Sequence, residues 1–441
     1  MNTTLPELLA PAGNMDKFRT ALLYGADAVY LGGLGGNLRA ACEGFDPAAL
    51  RVAVAEANAL GRRIYYCLNS FALESDLAVL PQQVEDAAEA GVHAFIIADP
   101  GVLALARRYA PAVPVHLSTQ ANTMNSAAAA FWREQGVSRV NLARELGARS
   151  IRAVRKALPD MELEVFVHGA MCLALSGQCL LSAWLNARSG NQGRCTQPCR
   201  FAYRALDEHP ATHSPLPSLV VEEYTRKGEA LWRVEQEEPF SSFWATQDLC
   251  LLPWLSWFTA NRIDGIKVEG RMKSAGWLAH SVDAYRTALD SLAAGRLSRA
   301  VLENCLEEAL LAATRSLGTG FFLHRRRDIS REFLERRGLA ARPDRNGQTV
   351  LPDFGRSLVG RVLEPEGLGV WAVEVLGNWR QNMDVEIMLP GLRRPVLAAE
   401  SYGLENAKGE LVRQVGNGTR CRLYADVPDI GPGIFLRCTQ F

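Results

Sequence analysis

The sequence has neither a long apolar run nor a net charge. No uninterrupted apolar stretch of the 441 residues reaches the roughly 18 that span a bilayer. The first residues, MNTTLPELLAPAG, lack a basic segment followed by an apolar core. Lys plus Arg equals Asp plus Glu at 48 each, so no global positive field favours a polyanion. These absences predict a cytoplasmic protein without a membrane partner, in which any contact with nucleic acid depends on a local basic patch.

Two motifs of hydrolases are also missing. The chain contains neither G-x-S-x-G nor H-E-x-x-H, which disfavours a serine hydrolase and a zinc metalloprotease.

Disulfides are disfavoured as well, because a chain of this length buries enough core to fold without cross-links. In a reducing compartment, clustered cysteines more often bind metal or act in catalysis.

The first 300 residues alternate short aliphatic runs with segments of helical period. The strand candidates are ELLAPA, AVYLGG, RIYYCLN, AFIIAD, VPVHLSTQ, RVNLAR and ELEVFVHGA, with DGIKVEGR following later. Helices are expected between them, at residues 15–24, 47–60, 77–90 and 126–135. Such repeated βα units predict an α/β fold, namely a (β/α) barrel of the TIM-barrel type.

Polar residues stand where these strands end. Since the carboxyl ends of barrel strands point to one face, where barrel enzymes form their active sites, the convergence favours a closed barrel over an open sheet. Each residue alone is also explained as the N-cap of the following helix. The residues are Asn69, Asp99, Gln120, Arg144, His168, Glu269 and Arg271.

The remaining chain divides by composition. Residues 1–323 are expected to form the catalytic barrel, interrupted by an insertion at about 201–244 that has little periodic signal. Residues 324–347 are predicted to be a basic linker, since eight arginines against four acidic residues fall within 325–345. Short strands and turns over residues 348–441 predict a small C-terminal β-barrel domain.

Four of the ten cysteines fall within 28 residues, at spacing C-x6-C-x15-C-x3-C. The spacing does not supply the two short knuckles of a typical zinc site, and neighbouring glycines suit a bulkier iron–sulfur cluster. A zinc site, buried structural thiols, and a nucleophilic Cys172 activated by His168 are the alternatives. The protease alternative would leave the other three thiols unexplained.

The segment KVEGR places Lys267, Glu269 and Arg271 on one strand face, because side chains alternate with period two. If that face lines the barrel interior, a carboxylate between two cations is suited to anchoring a small anion. A salt-bridged core is the alternative explanation. Arg144 and Glu145, at the end of another strand, admit the same two explanations.

Several longer stretches resemble a known family. ELLAPAGNMDKFRTALLYGADAVYLGG, HLSTQANTMN, EVFVHGAMCLALSGQCLLSAWLNARSGNQGRCTQPCRFAY and IKVEGRMKS are similar to the collagenase-like peptidase superfamily of unassigned catalytic type. NQGRCTQPCRFAY and LENAKGE resemble its branch of prephenate-dependent tRNA uridine hydroxylases. The resemblance implies a barrel enzyme that carries a 4Fe-4S cluster and forms 5-hydroxyuridine at the tRNA wobble position without oxygen.

The resemblance implies the cluster ligands and a place for His168 beside them, and the patterns described above suggest the other site residues. The cluster ligands would be Cys172, Cys179, Cys195 and Cys199, with Cys250 as the second choice for the fourth ligand. His168, Glu269 and Arg271 are the expected catalytic residues. The expected substrate-binding residues are Gln120, Arg144, Lys267, Arg325, Arg326 and Arg327.

The expected roles of these residues follow from their charge. The basic residues 325–345 and the C-terminal domain would contact the tRNA anticodon loop. Arg271 is the first candidate for clamping the prephenate carboxylates and Arg144 the second. An iron–sulfur hydroxylase of ribosomal RNA or of ubiquinone biosynthesis, a collagenase-like peptidase, and a zinc-stabilised RNA-binding protein remain as alternatives. The sequence leaves the oligomeric state open.

Overall fold

Eight parallel strands close into a barrel at the centre of the N-terminal domain. The structure is a computed structural model that describes residues 5–35, 43–172, 174–175, 178–186, 188–190, 194–200, 203–206, 219–223, 231–234, 247–342 and 349–439. Each strand pairs with the next along the chain, and the last pairs with both the first and the seventh, which completes the predicted barrel. The first seven are β1 (Glu7–Pro11), β2 (Ala28–Leu31), β3 (Arg63–Leu68), β4 (Ala94–Ile97), β5 (Val115–Leu117), β6 (Arg139–Asn141) and β7 (Glu162–Gly169).

Four further strands precede the one that closes the barrel. Three of them form a separate antiparallel sheet within the predicted insertion, and the fourth pairs antiparallel with β7 outside the ring. They are β8 (Tyr203–Leu206), β9 (Leu219–Glu223), β10 (Leu231–Val234) and β11 (Asp248–Cys250), followed by the closing strand β12 (Gly265–Glu269) and by β13 (Leu317–Gly318), which pairs with β11.

Helices surround the barrel, and most begin at a side chain that caps the first turn. Asn14, Asp46, Asn125 and Ser274 each accept a hydrogen bond from a backbone N–H of the helix that follows. No helix in the described part of the chain is long and apolar enough to cross a membrane. The helices are α1 (Met15–Leu23), α2 (Pro47–Ala59), α3 (Leu80–Glu89), α4 (Pro100–Tyr109), α5 (Ser126–Glu134), α6 (Ala148–Ala157), α7 (Leu181–Asn186), α8 (Leu255–Ala260), α9 (Ala275–Ala293), α10 (Arg299–Leu311) and α11 (Ile329–Arg336).

The last helix corrects one boundary. Residues 324–347 were expected to form a linker, but α11 lies within them and is amphipathic. Its Ile329, Phe333 and Leu334 are buried in the core of the barrel domain, and the Asp328 side chain caps its first turn. The density of arginines hid the apolar positions, which recur at helical spacing on one face.

The C-terminal domain is an antiparallel sheet curved into a half-barrel. Among the described residues its edge strands β18 and β19 do not pair with each other, so the predicted β-barrel stays open. The sheet order is β18-β17-β22-β14-β15-β21-β19, and β16 pairs with β20. The strands are β14 (Arg356–Gly367), β15 (Val370–Val375), β16 (Trp379–Arg380), β17 (Asp384–Met388), β18 (Val396–Leu397), β19 (Gly403–Glu405), β20 (Gln414–Val415), β21 (Arg420–Tyr424) and β22 (Phe435–Thr439).

Buried charges join the two domains. Glu308 of α10 accepts hydrogen bonds from Arg394 at 2.8 Å and from Arg437 at 3.2 Å, and Asp283 of α9 accepts one from Arg394 at 2.7 Å. His280 Nδ1 lies 2.8 Å from the same Glu308 carboxylate. Burial alone would raise the pKa of Glu308, but its hydrogen bond with His280 and the two guanidinium groups together lower it. The interface therefore depends on an ionised carboxylate held between cations.

We expect Glu308→Gln to destabilise the protein by about 3 to 5 kcal/mol, because it leaves two buried guanidinium groups without their shared counter-charge. Urea unfolding at neutral pH measures the change. Glu303→Gln is the matched control on the same helix, since Glu303 pairs at 3.1 Å with the exposed Arg299. Exposed pairs contribute about 1 kcal/mol or less. Equal losses in the two variants would contradict the importance of the buried network.

Candidate active site at the barrel mouth

The amino-terminal end of the barrel interior is filled with paired charges. Arg139 of β6 binds Glu7 of β1 at 2.6 Å and Glu162 of β7 at 2.8 Å. Glu164 of β7 accepts a hydrogen bond from Lys267 of β12 at 2.9 Å. This end therefore matches the salt-bridged core that was the alternative for KVEGR, and Lys267 belongs to it.

The carboxyl end of the interior is organised around Tyr30 of β2. Its hydroxyl lies 3.0 Å from Glu269 Oε2 and 2.9 Å from the Val268 carbonyl oxygen. Lys267 Nζ lies 4.4 Å from the centre of its ring, and the Arg271 guanidinium lies at 5.8 Å. Lys267, Glu269 and Arg271 thus all lie near Tyr30, with Lys267 also paired to Glu164 on the side of the amino-terminal network and Glu269 and Arg271 nearer the mouth.

Arg144 reaches this cluster from the loop after β6. Its Nη1 donates to the Ala170 carbonyl oxygen at 3.0 Å and lies 4.0 Å from Cys172 Sγ, while Nη2 lies 3.9 Å from Glu269 Oε2. The guanidinium stacks on Phe166 at 4.0 Å. Its buried Nε has no hydrogen-bond partner among the described residues. Arg144 therefore contacts both Glu269 and the first cysteine of the cluster segment.

The four clustered cysteines differ from the other described cysteines in exposure. Cys172 is exposed and Cys179, Cys195 and Cys199 are partly exposed, whereas Cys67, Cys250, Cys305, Cys421 and Cys438 are buried. The backbone N–H of Gln197 donates to Cys195 Sγ at 3.3 Å, a contact typical of cysteines that hold iron–sulfur clusters. Gly190 fits between the Cys195 side chain and the Cys179 carbonyl oxygen.

The donor set fits an iron–sulfur cluster in its chemistry, because accessible thiols are the groups that become thiolate ligands. Within the described residues, no three Cys, His, Asp or Glu side chains lie close enough together to hold one metal ion. The structure thus places the four cysteines on one segment after β7 without bringing them to one point. Cys250 is a poorer fourth ligand than Cys199, since burial raises the pKa of its thiol to about 11.

The His168 ring faces α9. A bulge between β7 and β12 pairs Lys267 with Phe166 but Val268 with His168, which turns the imidazole towards α9. There it packs against Trp277 and Tyr285, with ring centres 5.5 and 5.4 Å away. Burial lowers the pKa of His168 to about 4, so its ring is neutral at pH 7. Among the described residues its Nδ1 has no hydrogen-bond partner.

Three other residues at strand ends have different surroundings. Asp99 caps α4 by accepting hydrogen bonds from Gly101 and Val102, so the capping explanation holds for it. Asn69 donates to Ser118 at 3.3 Å. Gln120 lies in a short 3-10 turn after β5, and its buried Oε1 has no hydrogen-bond partner among the described residues.

The basic segment lies beside the mouth. Ala148, at the start of α6, donates to the Phe322 carbonyl oxygen at 2.9 Å, and Gly320 packs against Met171. Arg325, Arg326 and Arg327 are exposed. Arg326 stacks on the exposed ring of Phe321 at 4.6 Å, whereas Arg327 hydrogen-bonds Glu332 at 2.7 Å. A cationic and aromatic surface therefore adjoins both the Arg144 loop and the start of the cysteine segment.

Sequence reasoning missed Tyr30 and Phe166, whose rings contact the cationic side chains near the mouth. Both stand on the inward face of their strands, as period-two alternation with Ala28 and Glu164 indicates. An aromatic residue in a strand is ordinarily part of the apolar core. Only the tertiary structure shows that these two rings contact cationic side chains instead.

Comparison with known proteins assigns the family. The profile of peptidase family U32 matches residues 13–332, which is more than half of the chain. The chain belongs to this family. The match runs from the residues after β1 through the cysteine segment to the first half of α11, and it confirms the family that the quoted stretches resemble.

Relatives of known name are similar over most of the chain. The tRNA hydroxylation protein P of Escherichia coli (strain K12) is 36% identical over 66% of this chain and 69% of that protein. The tRNA hydroxylation protein P1 of Bacillus subtilis (strain 168) is 37% identical over 73% of this chain and 71% of that protein. The 23S rRNA 5-hydroxycytidine C2501 synthase of E. coli is 32% identical over 65% of this chain and 39% of its own length.

The buried neutral His168 predicts a pH dependence of stability. Because its pKa is about 4 when folded and 6.5 as the ordinary value, the unfolded state binds the proton first as the pH falls. This residue alone should then lower the free energy of unfolding by about 1.4 kcal/mol per pH unit between pH 6.5 and 4. The loss should be absent above pH 7.

His168→Phe keeps a ring between Trp277 and Tyr285 and removes the titration. Its stability should fall less steeply with decreasing pH, so the difference between wild type and variant should change by about 2 kcal/mol from pH 7 to pH 5. Urea unfolding at several pH values measures this difference, and the other histidines are common to both proteins. Parallel curves would mean that His168 titrates equally in both states.

Proposed function

We propose that this protein is a tRNA hydroxylase that forms 5-hydroxyuridine at the wobble position, using prephenate and no oxygen. Two relatives named for tRNA hydroxylation support the reaction class. The match to this chain covers 69% of one relative and 71% of the other. The observation that carries the proposal is the position of Arg144, whose guanidinium lies between Glu269 and Cys172 at the mouth. A site for a small anion therefore adjoins the cysteine segment. A tRNA substrate would place the protein in the cytoplasm.

We assign Cys172, Cys179, Cys195 and Cys199 as the ligands of a 4Fe-4S cluster. These four cysteines are accessible while the other described ones are buried, and Cys195 already accepts a backbone hydrogen bond. Such a cluster supplies one-electron chemistry when bound. The chain itself contributes the thiols, the donated N–H bond and the nearby positive charge of Arg144.

Prephenate carries two carboxylates, which arginine binds best because its N–H groups form a planar fork. We rank Arg144 before Arg271, the reverse of the order that the sequence suggests, because Arg144 adjoins the cysteine segment. Arg144 Nη1 lies 4.0 Å from Cys172 Sγ, whereas the Arg271 guanidinium lies 5.8 Å from the centre of the Tyr30 ring. Arg144 would thus clamp one carboxylate, and Arg271 and Lys267 would add positive charge from below.

The exposed basic segment would hold the anticodon loop. Arg325, Arg326 and Phe321 provide phosphate contacts and a stacking surface next to the mouth, which a neutral protein needs locally. Gln120 stays a candidate substrate-binding residue, because its buried carbonyl oxygen has no hydrogen-bond partner among the described residues. Hydroxylation of ribosomal RNA is the second candidate, and it is favoured by the similarity to the 5-hydroxycytidine synthase.

Proteolysis is the weakest alternative. A nucleophilic cysteine needs a base within hydrogen-bond reach. The His168 ring instead packs between Trp277 and Tyr285 of α9, so no Cys172–His168 pair forms in this arrangement.

Anaerobically purified protein should contain about four irons and four sulfides per chain, as four thiolate ligands imply. Cys199→Ser should lose iron because serine is a poor substitute for thiolate, and Cys250→Ser is the matched control that should keep it. Iron and sulfide assays with visible absorption measure both. Stoichiometric zinc without sulfide would refute the cluster. If Cys250→Ser loses iron and Cys199→Ser keeps it, the fourth ligand is Cys250 and not Cys199.

Arg144→Ala should weaken the use of prephenate tenfold to a hundredfold, since a bidentate charge-assisted contact contributes about 1.5 to 3 kcal/mol. Neutralising Arg325, Arg326 and Arg327 together should instead weaken tRNA binding, most strongly at low salt. Modified uridine is measured against prephenate concentration and, separately, against tRNA concentration. If Arg144→Ala shifts only the tRNA curve, the assignment of the anion site is wrong.

A further inference from the structure

Helix α6 carries four basic residues and no acidic one, although the whole protein has no net charge. The structure divides these four residues between two surroundings. Arg155 is buried, donates to three backbone carbonyl oxygens and pairs with Asp264. Arg149, Arg152 and Lys156 are exposed. One arginine therefore fastens the helix to the barrel, and three cations remain at the surface.

The three exposed cations lie on one face of α6, and we call them the α6 stripe. At 3.6 residues per turn, positions 149, 152 and 156 fall within about 60° of one another around the helix axis and span about 10 Å along it. Ile151 and Val154, on the opposite side of the helix, are buried in the core. Among the described residues, none of the three cations forms an ion pair. Their charge is therefore available to a polyanion.

The α6 stripe begins where the basic segment is attached to the barrel. The backbone N–H of Ala148, the first residue of α6, donates to the Phe322 carbonyl oxygen at 2.9 Å. Arg325 and Arg326, which are exposed, follow Phe322 within the same loop. The first turn of α6 and the basic segment therefore form adjoining surfaces beside the mouth.

The helices on either side of this loop in the sequence, α10 and α11, hold arginines whose charge is already paired. Three arginines of α11 and of the residues flanking it bind glutamates of α10 and α11. The pairs are Arg327–Glu332 at 2.7 Å, Arg336–Glu303 at 3.4 Å and Arg337–Glu307 at 2.8 Å. A polyanion that reaches the mouth over the basic segment therefore meets unpaired cations on α6 and paired ones on α10 and α11.

We propose that the α6 stripe binds the phosphate backbone of the double-stranded stem next to the anticodon loop, so that the stem lies along the flank of the barrel while the loop lies at the mouth. The proposal rests on the proposed function, which places the anticodon loop at the basic segment. A stem suits this surface because proteins bind A-form RNA mainly through its shape, its phosphates and its 2′-hydroxyl groups. A row of cations without an aromatic residue contacts phosphates and does not read bases.

The triple variant Arg149→Gln, Arg152→Gln and Lys156→Gln removes the charge of the stripe and keeps polar side chains at the surface. Each phosphate contact contributes about 0.7 to 0.9 to the slope of log affinity against log salt concentration, so the slope should become shallower by about 2 to 3. Affinity for tRNA at low salt should fall about tenfold. Fluorescence anisotropy of the full chain with labelled tRNA, over a series of KCl concentrations, measures both. An unchanged slope would overturn the proposal.

Two further variants separate charge from structure. Arg51→Gln, Arg107→Gln and Arg108→Gln together form the matched control, since these three arginines are exposed on α2 and α4. This control should bind tRNA with the affinity and the slope of the wild type, and an equal loss would mean that only overall charge matters. Arg149→Lys with Arg152→Lys keeps the charge and should also bind as the wild type does. Weaker binding by this lysine variant would contradict a role based on phosphate contacts.

Two RNA fragments locate the contact. The triple variant should bind a hairpin of the anticodon stem and loop more weakly than the wild type does, but should bind a single strand of the loop sequence equally well. An equal loss with both fragments would place the stripe at the loop and overturn the assignment to the stem. If only hairpin binding is lost and the wild type hydroxylates no tRNA, the proposed reaction is wrong and the stem-binding surface stands.

Discussion

Pairing of charges inside the closed barrel is the constraint on which the rest of this structure depends. A buried carboxylate costs several kcal/mol unless cations and donors surround it. Glu7, Glu164 and Arg139 come from three different strands and satisfy one another only in the observed register. A slip of one residue would move a strand's inward charges into the apolar helix layer. The network therefore selects one register around the ring.

The ion pairs in the barrel interior are shortest at its amino-terminal end. At the amino-terminal end, Arg139 binds two glutamates at 2.6 and 2.8 Å. At the carboxyl end, Arg144 and Glu269 stand 3.9 Å apart and Arg144 Nε has no partner among the described residues. The first end holds the strands together, and the second is the end at which we propose a ligand site. Barrel enzymes divide stability and chemistry between their two ends in this way.

The bulge at Val167 decides how the two sides of β7 are used. It leaves Phe166 inside, under Arg144, and turns His168 outward to the rings of α9. The chain then leaves the barrel at the mouth, where the cysteine segment begins.

The basic surface lies at the same end of the barrel, because the loop before α11 packs on Met171 and on the start of α6. A protein without net charge can thus offer a polyanion a local surface.

The sequence by itself determined the eight barrel strands, the insertion before the last of them, the family and the segment with the four thiols. These features are local or periodic, and alternation, caps and spacing express them directly in the chain. It also placed Lys267, Glu269 and Arg271 on one face, because side chains in a strand alternate.

Only the tertiary structure decided which of these charged side chains form ion pairs with each other. Lys267 is paired with Glu164 at 2.9 Å, whereas Arg144 and Glu269 lie 3.9 Å apart. It also turned His168 away from Cys172 and packed α11 on the barrel where a linker was expected. Such outcomes depend on distances between residues far apart in the chain, and a one-residue bulge changes them. Composition and spacing contain no information about those distances.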